Sequence, residues 1–156
     1  MSAHEILPGL WLGDENAAHD SIFIQNENIS VIVNCTSEIV FSEYVMKHKC
    51  IKKYRLNIIN PGPGYGLEND NIRLMSIHIS KLTSIIRYWH NKGKNILVHC
   101  HSGAQRSAAV IAAYLMRFYF VHSPNRYHKS CSFVHKKRNK AFYYGTNVNF
   151  EKAINF

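Results

Sequence analysis

Carboxylates are scarce in this chain. There are ten Asp and Glu in 156 residues, and between Glu43 and Glu151 only Glu68 and Asp70. For chemistry that needs an acid, the central stretch offers only those two. Charged residues make up only 19% and hydrophobic ones 46%, a globular balance rather than a disordered one. No apolar run approaches the roughly 20 residues of a membrane helix, so no membrane span is expected. The opening MSAHEILPGLWLGDENAA, broken early by acids, Gly and Pro, is not a signal peptide. Cys35, Cys50, Cys100 and Cys131 include no C-x-x-C pair, and no His/Cys cluster has ligand spacing despite ten histidines. We therefore expect no metal, no cofactor and no disulfide framework. The expected setting is intracellular, cytoplasmic or nuclear. No repeat, linker or low-complexity stretch divides the sequence, so residues 1–156 are read as one domain of unknown oligomeric state.

Positive charge is what the chain has in excess. The net charge is +9, but residues 1–49 set seven acids against two lysines, and residues 121–156 set seven basic residues against one acid. Such a chain attracts anions: nucleic acid, acidic lipid or phosphorylated partners. The cluster His135-Lys136-Lys137-Arg138-Asn139-Lys140 keeps nucleic acid open as a partner, but a solvated helix end explains it as well.

Periodicity gives the architecture. Leu10–Gly13, Val31–Cys35, residues 51–59 and Asn95–His99 read as strands, the β-branched ones as buried parallel strands. Helical stripes follow from Asp14, from Ile72 to Trp89, and from Ser107 to Phe118. Ser123-Pro124 reads as an N-cap and first-turn pair opening a helix to about Arg138. Alternating strands and helices predict an α/β domain with a mostly parallel central sheet flanked by helices. The segment from Asn60 to Gly66, where Pro and Gly alternate, is one long irregular loop.

Between a strand and a helix stands His99-Cys100-His101-Ser102-Gly103-Ala104-Gln105-Arg106-Ser107. Loop and helix N–H groups there point into one concavity, with the positive end of the helix dipole behind them, which makes an anion site. Arg106 can add a bidentate fork to two oxygens of a phosphate. The same positive field favours the thiolate of Cys100, a nucleophile held against a bound phosphate. Ser107 can hydrogen-bond the sulfur.

This stretch resembles the signature of the cysteine-based protein tyrosine phosphatases. Trp11-Leu12-Gly13 with Asn16-Ala17-Ala18, Val31–Asn34, Ala112–Met116 and Phe133–Arg138 resemble the dual-specificity branch, over about Leu7 to Ile154. The small size fits that branch or its viral members, which would act in a host cell.

The resemblance implies hydrolysis of phosphoprotein through a cysteinyl-phosphate. Cys100 would be the nucleophile. His101, Ser102, Gly103, Ala104, Gln105 and Arg106 would form the phosphate loop, and Ser107 would assist the sulfur. His99 would lie below the loop, bonded to backbone; His101 and Gln105 would have no catalytic role. A general acid about thirty residues before the cysteine is implied, and Asp70 and Glu68 both stand there. Asp70 is set ahead of Glu68, although with Asn69 and Asn71 it could simply cap the next helix, and neither need serve. Cys35 occupies a place resembling that of a resolving cysteine for Cys100, or is a small buried hydrophobe. The five-residue segment lacks the lysines of phosphoinositide phosphatases, and Gln105 and Ser107 stand where RNA 5′-triphosphatases usually have Asn and Thr. A non-catalytic phosphate-binding module is the remaining alternative.

Overall fold

The computed structural model describes residues 2–58, 69–142 and 150–154, and of residues 69–71, 150 and 152 only the backbone. The chain runs β1 (Ala3–Leu7), β2 (Leu10–Gly13), α1 (Glu15–Ala18), α2 (Ser21–Asn26), β3 (Ile29–Asn34), α3 (Glu43–Lys47), β4 (Lys52–Arg55), α4 (Asn69–Asn91), β5 (Asn95–His99), α5 (Arg106–Phe118), α6 (Arg126–Lys137) and α7 (Phe150–Ala153). The sheet order is β1-β2-β5-β3-β4, parallel except for β1, which pairs antiparallel with β2. The α/β domain with a mostly parallel sheet is as the sequence led us to expect.

Helices cover both faces of the sheet. Alternate residues of β5 serve the two layers: Ile96 and Val98 pack with α4 and α5, while Leu97 packs with Ile24, Ile29, Ile32 and Val45 on the other side. Every residue of α5 from Arg106 to Met116 is buried, so this helix lies inside the molecule rather than on it. Truncating a central residue such as Leu97 to Ala should cost about 3 kcal/mol. That rigid centre is what the loop after β5 stands on.

Two local expectations are corrected and one strand is added. The strand read over residues 51–59 is only Lys52–Arg55. Leu56 still donates to the Asn34 carbonyl (2.8 Å), but Ile58 then donates to Leu56 and turns the chain away; Ile59 lies outside the described residues. Ser123-Pro124 does not open α6. The chain leaving α5 turns at Phe120–Ser123, and Asn125 takes a left-handed conformation (φ 53°) with no side-chain cap before the helix starts at Arg126. Asn tolerates that conformation better than most residues. Finally, β1 was not foreseen, because His4 and Glu5 interrupt its apolar pattern.

Candidate active site

The loop between β5 and α5 is held from behind at every carbonyl. His99 Nδ1 meets the Cys100 oxygen at 3.3 Å. Glu15 N–H donates to the His101 oxygen (3.0 Å), and the Arg138 guanidinium to those of Ser102 and Gly103 (3.0 Å each). Phe142 N–H donates to Ala104 and Ala109 N–H to Gln105. In a trans peptide the N–H points opposite to the C=O of the same unit. Anchoring the carbonyls of His101 to Gln105 outward therefore aims the N–H groups of Ser102 to Arg106 inward. Gln105, the N-cap of α5, makes no side-chain cap bond, so the helix also opens onto this concavity. The result is a cradle for a tetrahedral anion.

One glycine is required by this packing. Gly103 has φ +64°, and a Cβ there would lie 2.5 Å from the Gly13 carbonyl oxygen at the end of β2. Strand and loop touch backbone to backbone.

Cys100 sits in the floor of the cradle, 2% exposed, with Sγ 3.0 Å from Ser107 Oγ. His99 is buried, and burial pushes its pKa down to about 4, so the ring is neutral. Since a carbonyl can only accept, Nδ1 carries the proton it donates to Cys100. His99 thus bonds the backbone beneath the sulfur. His101 turns outward to Glu15 (3.1 Å) on α1.

Arg106 is 2% exposed and holds a partner the sequence reading missed. Its Nη1 donates to Glu38 Oε1 (2.9 Å) and to the Ile58 carbonyl (2.7 Å), and its Nη2 to Glu38 Oε2 (2.9 Å). The end-on fork is thus occupied by a carboxylate. Among the described residues nothing accepts from the Nε–H and the second Nη2–H, which form the other bidentate edge of the guanidinium. The hydrogen bonds from Arg106 hold the Glu38 carboxyl below the usual range. Glu38 reaches this place because Asn34 organises the turn after β3: its Nδ2 donates to Ile39 O (2.8 Å), and its Oδ1 accepts from Thr36 N–H and Oγ1–H. The signal was in the sequence: residues after Asn34 must lie beside those after His99 if the two strands are parallel neighbours, and they are.

Behind the loop, Arg138 is fully buried and also donates to His4 Nδ1 (2.9 Å). Burial and the Arg138 charge lower the pKa of His4, keeping it a neutral acceptor. Cys35 is buried beside this site, and burial, then the Cys100 sulfur, raise its thiol well above the usual value. Asp70 lies in the first turn of α4, inside the helix rather than at its cap, and its side chain is not described; Glu68 lies outside the described residues. Among the described residues no group of three or more His, Cys, Asp or Glu could hold a metal ion.

Comparison with known proteins agrees with this geometry. The family model described as the dual specificity phosphatase catalytic domain matches residues 10–154. The tyrosine-protein phosphatase MSG5 of Saccharomyces cerevisiae is 30% identical over 122 residues, covering 78% of this chain and 22% of the yeast protein. The protein phosphatase Slingshot homolog of Xenopus laevis is 33% identical over 117 residues, 74% of this chain and 15% of that protein. The chain therefore spans less than a quarter of either relative. The Yvh1 phosphatase domain from Chaetomium thermophilum has the same fold, with a TM-score of 0.72 at 18% identity, covering 97% of this chain and 92% of that one. A cysteine at the floor of an anion cradle, backed by this family match, makes the chain a member of the dual-specificity phosphatase catalytic-domain family.

Proposed function

We propose that the chain is a phosphoprotein phosphatase acting on phosphotyrosine and phosphoserine/threonine through a cysteinyl-phosphate. The observation that supports it most is the outward anchoring of the loop carbonyls, which leaves a ring of N–H donors around Cys100 Sγ. The phosphoryl oxygens sit on those donors and on the free Nε/Nη2 edge of Arg106. Sγ attacks phosphorus, the bond to the leaving oxygen breaks, and Asp70 gives that oxygen its proton. Water then attacks the thiophosphate, Asp70 takes the water's proton, and the S–P bond breaks to release phosphate and the Cys100 thiolate. The Ser107 hydroxyl supports the departing sulfur. Glu38 is a positioning residue: it fixes the guanidinium plane without meeting the phosphate.

The test is hydrolysis of an aryl phosphate, phosphotyrosine and phosphothreonine peptides, and 5′-triphosphate RNA. Turnover of the first three, lost in Cys100→Ser while phosphopeptide binding survives, supports the reading. Retention of phosphopeptide by the unaltered protein without turnover identifies a binding module instead. For the acid, Asp70→Asn should slow phosphothreonine hydrolysis far more than hydrolysis of an aryl phosphate with an acidic phenol, since only the alkoxide needs a proton in the transition state. Equal small losses would clear Asp70 and move the question to Glu68→Gln.

A further inference from the structure

A second concavity of about 280 Å³ lies between β4 and α4, lined by Tyr54, Arg55, Leu56, Asn57 and, across from them, Leu74, His78, Lys81, Leu82 and Ile85. Its floor is apolar, its rim carries the exposed His78 and Lys81, and among the described lining residues none is a carboxylate. β4 is the edge of the sheet. Because Leu56 N–H bonds to β3, the intervening Lys53 and Arg55 point their N–H and C=O groups to the outer side, where no strand pairs with them among the described residues. The strand side of the groove ends at Asn57, close in sequence to the phosphate site. One residue beyond Asn57, the Ile58 carbonyl accepts from Arg106.

We propose that this groove binds an acidic, extended segment flanking the phosphorylated residue of the protein substrate, which adds its backbone along β4. This rests on the phosphatase reading above. A free strand edge supplies main-chain hydrogen bonds, the aliphatic floor takes alternate side chains, and the cationic rim selects acids. The strand itself, Lys52–Arg55, covers about 10 Å, the length of about four residues of extended peptide. Phosphate and acidic flank are thus read by two separate cationic sets, Arg106 with the loop N–H groups and Lys81 with His78. The first is buried and the second exposed, so only the second should respond strongly to salt.

The experiment compares phosphotyrosine peptides that carry acidic, neutral or basic residues in the four positions on either side, each against an aryl phosphate too small to reach the groove. The quantity read is kcat/KM on peptide divided by kcat/KM on aryl phosphate. Acidic peptides should give the highest ratio, and added salt should erase the difference. Lys81→Glu should lower the ratio about fivefold for acidic peptides and raise it for basic ones. Acidic and basic peptides turned over alike, or shifted alike by Lys81→Glu, would overturn the groove while leaving the phosphatase standing. Absence of turnover on every substrate would sink the phosphatase reading instead. Fluorescence anisotropy of the same labelled peptides then still decides, tighter binding of the acidic peptide supporting the groove and equal binding refuting it. A stronger affinity for single-stranded RNA that Lys81→Glu removes would assign the groove to nucleic acid and overturn the proposal.

Discussion

The two sides of the phosphate loop are built on opposite rules. On the outer side the carbonyls from Cys100 to Gln105 each have a donor, two of them from the buried Arg138. On the inner side the N–H groups of Ser102 to Arg106 have no acceptor among the described residues, and a second buried arginine offers one open edge. The two guanidiniums are both out of water, yet one is fully engaged in structure and the other is half reserved. Donors can stay aimed at an absent anion only because the acceptors behind them are fixed.

Variants on the two sides should therefore fail differently. The largest effect belongs inside: Cys100→Ser should cut aryl phosphate turnover by about 10⁵-fold, with unfolding by urea unchanged. Wild-type-like turnover would remove the nucleophile from the mechanism. Arg106→Lys comes next, with a loss of about 10²- to 10³-fold in kcat, because a point charge cannot serve Glu38 and phosphate in one plane. On the outside, Arg138→Met strands the carbonyls of Ser102 and Gly103 and should lower the unfolding free energy by about 3 kcal/mol in a denaturant titration. If Arg138→Met kept full stability, the contrast between the faces would collapse.

Acid sharpens the same comparison. His99 is neutral in the fold, with its pKa at about 4 against an ordinary 6.5. The unfolded chain is then the better proton binder between those values. Stability from neutral His99 is complete above about pH 6.5 and is lost as the pH falls toward 4, roughly 3 kcal/mol in all. His4, also held below its ordinary value, adds in the same direction. A His99→Asn variant should show a flatter stability profile across that window. Smaller still is the expected effect of mild peroxide. Cys100 would be oxidised to the sulfenic acid, and the Cys35 thiol would displace water to form a disulfide. Because burial holds Cys35 as a thiol, this step should be slow; mass spectrometry should find the Cys35–Cys100 link, and overoxidised Cys100 alone would count against it.

Much of the inner side was legible in the sequence, because it lies in one run from His99 to Ser107 and local order sets its shape. The outer side was not. Glu15, Arg138 and Phe142 meet the loop only after the sheet has brought distant segments together, and nothing local distinguishes Arg138 from the lysines around it. Glu38 was counted as one acid among seven, although the adjacency of β3 and β5 would have pointed to it. Ser123-Pro124 shows the converse error: a strong local cap signal lost to the turn that leaves α5.

The anchors of the loop have a consequence for the birth of the protein. The signature is synthesised by residue 107, but its carbonyls are fastened by Glu15 near the start of the chain and by Arg138 and Phe142 some thirty residues later. On a ribosome the reactive cysteine emerges well before Arg138 and Phe142, two of the groups that shape its surroundings. Domains acquire their packing as units once the needed segments are out. Phosphate affinity should thus switch on late and abruptly, so that a nascent chain halted before Arg138 carries the whole motif and yet has no working site.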